Sequence, residues 1–239
     1  MHLTSDSKFK EFTYGLTTPV RVLQVLLENP RLLGLFLLPM GITVLFIAIT
    51  IYSLLIGLWS TSRDLLQHFL GSWTFLGSGV ISFIGGVLFF YLLSLILNLL
   101  VQLVSSPFND ILAEKTEIAC GQTPDPVTLR RLLQVAWIDL KKTGFSLTAT
   151  LILLLIGLIP GLGIASLPGL ALVQAFIFLS YPLSRRTLGL RASLGWIGGS
   201  FFRALGFGLI TLVLFAIPVL NLFALPLSVM GGTLCYLKK

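Results

Sequence analysis

Charge is scarce in this chain. Of 239 residues only 10% are charged while 56% are hydrophobic, and a soluble fold of that size has no use for so much apolar surface. Cysteine and histidine are scarcer still. Cys120 and Cys235 are too few and too far apart for a disulfide framework, and His2 and His68 make no metal-ligand spacing; neither a metal nor a cofactor is expected. Catalytic material is also missing. There is no paired carboxylate in an apolar setting, no histidine beside a Ser or Cys signature and no glycine-rich phosphate loop, which speaks against an enzyme. The first 31 residues carry both signs of charge and lack an apolar run followed by a small-residue cleavage site, so no signal peptide is expected.

What charge there is has a pattern. The 16 Lys and Arg against 9 Asp and Glu give +7, but the basic residues flank long uncharged runs rather than forming an aromatic-interleaved patch, which points to membrane topology and headgroup contact and away from nucleic acid. Lys8, Lys10, Arg21 and Arg31 precede the first run; Lys115, Arg130, Arg131, Lys141 and Lys142 follow the second. Arg185, Arg186, Arg191 and Arg203 separate the last two, Lys238 and Lys239 close the chain, and Arg63 alone is left for the opposite side. The positive-inside rule then puts both termini and both large polar segments in the cytoplasm.

The runs themselves predict an all-α integral membrane protein with a single membrane domain over residues 1–239. Residues 9–28 place Phe9, Phe12, Leu16, Leu23, Leu26 and Leu27 at helical spacing, with Thr17, Thr18 and Pro19 breaking the segment. This fits an amphipathic helix lying in the interface, and equally an ordinary helix packed on its neighbour. Residues 32–62 carry no formal charge and exceed the roughly 20 needed to cross, giving a first transmembrane helix. A second, longer one is expected over 72–104, where Ser78, Ser82, Gly86, Ser94, Asn98, Gln102 and Ser106 recur at multiples of four as a winding seam, suited to helix packing more than to lining a pore. Residues 110–142 hold most of the remaining charge and the turn signal TPDP at Thr123–Pro126, and are expected in water as a cytoplasmic helical segment.

The rest of the chain contains an internal repeat, IPGLGIASLP at Ile159–Pro168 and IPVLNLFALP at Ile217–Pro226. Each copy sits in the middle of an uncharged run, 143–184 and 204–237, and two full spans would need about 40 residues before any turn. Prolines oppose a continuous helix, and the tips are too apolar for an outer loop. Two re-entrant, partly penetrating helical hairpins are expected, with six ordinary spans and very short outer loops as the competing arrangement. A half-helix that begins inside the membrane points unpaired N–H groups and the positive end of its dipole inward. Such ends, near Ser166, Leu167 and Gly169 and near Asn221, either form an anion site or serve only packing.

Several of these segments together carry a resemblance: SPFNDILAEKTE at Ser106–Glu117, the two tips, Tyr181 with Pro182, and NPRLLGLFLLP at Asn29–Pro39. In combination they resemble the CysZ family of bacterial sulfate permeases, from about Phe12 to Tyr236. The resemblance implies two long transmembrane helices, two pairs of partly penetrating helices, a homo-oligomer in the bacterial inner membrane, and uptake of sulfate or a similar oxyanion for cysteine synthesis. The same superfamily holds eukaryotic etoposide-induced proteins, for which sulfate transport is not the expected role. Pro107, Phe108, Asn109 and Glu114 match the family motif and are expected to fix the turn out of the second span.

One stretch departs from the family. In the family's sulfate-binding stretch before the first span the proline is typically followed by Gly, an aliphatic residue and two arginines, whereas this sequence runs Pro30, Arg31, Leu32, Leu33, Gly34. Leu33 and Gly34 stand where the arginine pair would be, leaving Arg31 as the fork for an oxyanion, with the backbone N–H groups of Leu32 to Gly34 as further donors. Arg31 also fits the plainer role of an interface anchor. No ATPase motif occurs and no carboxylate lies within an uncharged run, so a channel-like route is favoured over a pump. The rival class is a non-transporting oligomeric scaffold.

Overall fold

Helix is the only regular structure among the described residues of the computed structural model, which are 5–38, 108–123, 129–159 and 163–238 with residues 40, 41, 44, 45, 48 and 52. In chain order the helices are α1 (Ser5–Leu16), α2 (Thr18–Glu28), α3 (residues 31–38), α4 (residues 108–119), α5 (Leu129–Gly157), α6 (Gly163–Arg185), α7 (Leu190–Gly199), α8 (Phe201–Ala216) and α9 (Pro218–Leu237). The chain divides into two compact units, residues 1–37 with 109–239, and residues 38–108; nearly all described residues belong to the first. The expected span 72–104, most of 32–62, and Pro107 lie outside the described residues.

Among the described residues, three stretches are long and apolar enough to cross a membrane: Leu133–Gly157, Gly163–Arg185 and Leu220–Leu237. A fourth is added if α7 and α8, bent by 97° at Ser200, count as one. The first of these differs from the sequence expectation. α5 starts at Leu129 and runs 29 residues, through the boundary expected between a watery segment ending at 142 and a half-length helix starting at 143. Charge marks where water is expected, but the hydrogen-bond ladder stops only at a breaker, and residues 129–142 contain neither Pro nor Gly.

Both repeat copies coincide with helix breaks, although not at the residues expected. α5 ends at Gly157, just before the first Ile-Pro pair, and α8 ends at Ala216, just before the second. Pro218 opens α9, where its missing N–H would have been unpaired in any case. Pro168 and Pro226, expected to bound the tips, lie inside α6 and α9 instead.

The core is built on α6, α8 and α9, through Ala175, Phe178, Leu179, Leu183, Phe207, Val229 and Met230, and is closed by Val22 and Leu26 of α2, Phe36 of α3 and Leu112 of α4. Thr18, Val22 and Leu26, one turn apart, are the buried stripe of α2, while Val20, Leu23 and Leu27 on its other side are exposed. Glycine decides how closely the helices approach. A Cβ on Gly15 would overlap the Arg203 carbonyl, and one on Gly206 the Phe12 carbonyl, so α1 and α8 cross backbone to backbone. Gly232 of α9 lies against the Phe178 carbonyl, 2.6 Å from where its Cβ would stand. That carbonyl is the one four residues before Pro182, which has no N–H to offer it; the helix defect is covered by a neighbour without a side chain.

Two turns close by positive φ. Gly121, at φ +77, ends α4 with Gln122 N–H bonded to the Glu117 carbonyl at 3.0 Å, a role in which glycine avoids the Cβ penalty. Thr187, at φ 57, does the same after α6, with its N–H on Ser184 O at 2.7 Å and that of Leu188 on Leu183 O at 3.0 Å.

Candidate functional site

The stretch expected to hold an anion opens α3. Arg31 is exposed. The amides beside it are committed: Leu32 N–H donates to Asn29 O at 2.9 Å and Leu33 N–H to Pro30 O at 3.1 Å. Leu32 points its side chain into the core, whereas Leu33 is 41% exposed and Gly34 stands in open space. Of the donors anticipated here, Arg31 is therefore exposed, whereas the Leu32 and Leu33 amides are taken up by the turn that starts α3.

The repeat tips also differ from expectation. α6 begins at Gly163 and α9 at Pro218, so Ser166 and Asn221 fall in their first turns, while Leu167 and Gly169 lie beyond the unpaired amides. Ser166 is buried and its hydroxyl donates to Gly163 O at 2.8 Å; the Asn221 amide donates to Ile217 O at 2.8 Å. Gly169 serves packing, since a Cβ there would come within 2.8 Å of Leu153 Cδ2 on α5. Around the first tip Leu158, Ile164 and Leu167 are exposed, Ile164 by 83%, an apolar surface that suits lipid or a neighbouring subunit.

A polar cluster gathers where α4, α5 and α6 meet. Glu114 pairs with Arg185 at 3.0 Å, and Arg185 also donates to the Asp110 carbonyl at 2.9 Å. Asn109, 3% exposed, bonds Tyr181 of α6, and its Oδ1 has no partner. Behind them Lys142, 2% exposed, donates from Nζ to Ser184 Oγ at 2.8 Å, and Ser184 in turn bonds the Asp139 carboxylate. Phe108, the motif residue before Asn109, is half-buried. Reading by uncharged runs assigned Asp139 and Lys142 to the aqueous segment. The overlooked signal was spacing: 139 and 142, like 181 and 184, are three apart and share a helix face.

A second cluster ties the first helix to the last. Arg203, 9% exposed, pairs with Glu11 of α1 through Nε and donates from Nη1 to the carbonyls of Cys235 at 2.9 Å and Lys238 at 3.0 Å. A cation there also complements the negative end of the α9 dipole. Lys238 Nζ lies 2.7 Å from the other Glu11 oxygen, and its ammonium sits 4.2 Å from the centroid of the Tyr14 ring, over which Arg21 also lies at 4.1 Å. Burial works to raise the Glu11 carboxyl, but the two cations prevail and hold it below its ordinary 4.5. Arg186, expected as a charge at the membrane edge, donates to the Tyr236 hydroxyl at 3.2 Å.

The family described as Sulfate transporter CysZ/Etoposide-induced protein 2.4 matches residues 18–226. The chain belongs to this family. Among its relatives, a protein named sulfate transporter CysZ from Pseudomonas paraeruginosa is 28% identical over 232 residues, covering 90% of this chain and 91% of its own. One of the same name from Pseudomonas fluorescens strain Pf0-1 is 28% identical over 236 residues, covering 90% and 89%. A third, from Salmonella typhimurium, is 28% identical over 143 residues, 54% and 55% of the two chains. The CysZ-type match includes Arg31, Asn109, Glu114, Asp139, Lys142, Tyr181, Ser184 and Arg203, and it excludes Glu11 and Lys238 at either end of the second cluster.

Proposed function

We propose that this chain is a membrane permease, channel-like in kind, that carries sulfate or a related small oxyanion in support of cysteine synthesis. The observation that carries the reading is family membership together with relatives named sulfate transporter that align with 90% of the chain and 91% of their own length. Apolar helices of crossing length support the membrane setting. The basic excess of +7, distributed around those helices, supports attraction of an anion to the mouth. In this reading the protein sits in the bacterial inner membrane with both termini cytoplasmic, the pairs α5–α6 and α8–α9 are re-entrant hairpins, and copies associate as a homo-oligomer. The outward apolar side chains of α5, among them Leu147, Leu151 and Leu155, each more than half exposed, then meet lipid or another copy. Arg31, accessible at the start of α3, receives the anion.

Uptake of radiolabelled sulfate into proteoliposomes of the purified protein tests this, with empty liposomes as background and selenate, thiosulfate and phosphate as competitors. Saturable uptake blocked by other oxyanions is expected. Background uptake from folded protein would leave the scaffold as the better account. Arg31→Ala is expected to lower the initial rate roughly tenfold, the scale of one charge-assisted hydrogen bond, with expression and oligomer unchanged; wild-type uptake by that variant would remove Arg31 from the site.

A further inference from the structure

Lys142 is a cation sealed between α5 and α6 with most of its hydrogen-bonding capacity unspent. An ammonium has three N–H donors. At 2% exposure, and among the described residues, this one donates to a single hydroxyl, Ser184 Oγ at 2.8 Å. Its nearest counter-charge on the same helix, Asp139, is reached through Ser184 and forms no direct ion pair with it. Glu114 of α4 is paired with Arg185 at 3.0 Å. A charge withdrawn from water and met only through a relayed hydroxyl is poorly compensated.

A second unspent group belongs to the same cluster. Asn109 Oδ1 is buried without a partner while Asn109 bonds Tyr181, which stands one turn before Ser184 on α6. The unspent atom there is an acceptor, so the donors the cluster still has to offer an anion are those of the Lys142 ammonium. All these groups lie on the helices that meet at α4, and Lys142 belongs to the stretch Leu133–Gly157 that is long and apolar enough to cross a membrane.

We propose that Lys142 binds a tetrahedral oxyanion with no protons to donate, such as sulfate, and that Asp139 is the anion held through Ser184 when solute is absent. Such an anion accepts hydrogen bonds only, which matches a buried ammonium with N–H donors unspent. The solute and the Asp139 carboxylate compete for one ammonium, so arrival of the first releases the second. The identity of the ligand rests on the permease reading; the site itself rests on the burial and hydrogen bonding of Lys142.

The test measures equilibrium binding of radiolabelled sulfate to the detergent-purified full chain, and the half-saturating sulfate concentration for uptake into proteoliposomes, for wild type, Lys142→Met and Asp139→Asn. Lys142→Met is expected to weaken sulfate binding roughly tenfold or more. Asp139→Asn removes the competing charge and is expected to tighten it roughly threefold or more. Opposite shifts from two neighbours are the signature of competition; a merely structural pair would move both variants the same way or neither, and either result overturns the proposal. Should Lys142→Met fail to fold, Asp139→Asn decides alone, and unchanged or weaker binding refutes the site. Wild type that carries sulfate while both variants match it removes the site and leaves the permease reading. Wild type that binds sulfate with the opposite shifts yet carries none leaves the site and removes the permease. Wild type that neither binds nor carries sulfate removes both.

Discussion

Glu11, Arg203 and Lys238 show how a residue's meaning changes with its partners. In the sequence they are three of the few charges in an apolar chain; in the fold one carboxylate bridges two cations, and one of those cations holds the end of α9. The folded Glu11 carboxyl titrates below its ordinary 4.5, so the stabilisation it gives is complete above the ordinary carboxylate range and is lost as pH falls through the folded value. Thermal unfolding of the wild type is therefore expected to weaken more between about pH 6 and about pH 3 than that of Glu11→Gln. Parallel losses in the two proteins would show that the cluster contributes nothing. Such residues were not legible in advance, because burial of Arg203 or Lys142 depends on which distant helix supplies Cys235 or Ser184. The departure at Arg31 was legible, being a local pattern, but the engagement of the Leu32 and Leu33 amides by Asn29 and Pro30 is a turn geometry that no residue type announces.

At the level of helices, the glycines divide into those under contact and those in open space. Gly206→Ala places a methyl on the Phe12 carbonyl, and with backbone on the other side α1 must move; a loss of about 1–3 kcal/mol is expected, as for other overpacked sites. Gly195→Ala, inside α7 with nothing within 4 Å, is expected to gain about 0.5–1 kcal/mol from helix propensity. Thermal melts of the two variants check both signs, and a stabilised Gly206→Ala would contradict the close crossing of α1 and α8. The helical class and the breaks at the repeat could be read from hydrophobic runs and prolines. The start of α5 could not, because successive turns of one helix share a single ladder whatever their surroundings, nor could the entry of Pro168 and Pro226 into α6 and α9, since the residue type alone argues for a break.

For the whole molecule, the pairs α5–α6 and α8–α9 have two arrangements open to them, turning back within the bilayer or crossing it twice. α5, α6 and α9 each contain a stretch long and apolar enough to cross, and α8 does so only when counted with α7; a hairpin that turns back and a pair that crosses twice would both return the chain to the side it left, so charge alone does not separate them. Single cysteines at Leu158, 78% exposed near the first tip, and at Leu220, 37% exposed near the second, in a chain freed of Cys120 and Cys235, separate the two. In proteoliposomes of known orientation, resistance to an impermeant thiol reagent added from outside is expected for re-entrant hairpins; rapid labelling at both would establish full crossings. The Arg203 cluster also sets an order of assembly. Glu11 precedes its partner on α8 by 192 residues, and at the usual synthesis rate of about 5–20 residues per second that gap lasts roughly 10–40 s. Throughout that interval the Glu11 carboxylate has been made and neither of its cations has, so the contacts that seat α1 on α8 and α9 form only after the ribosome has delivered the last two helices.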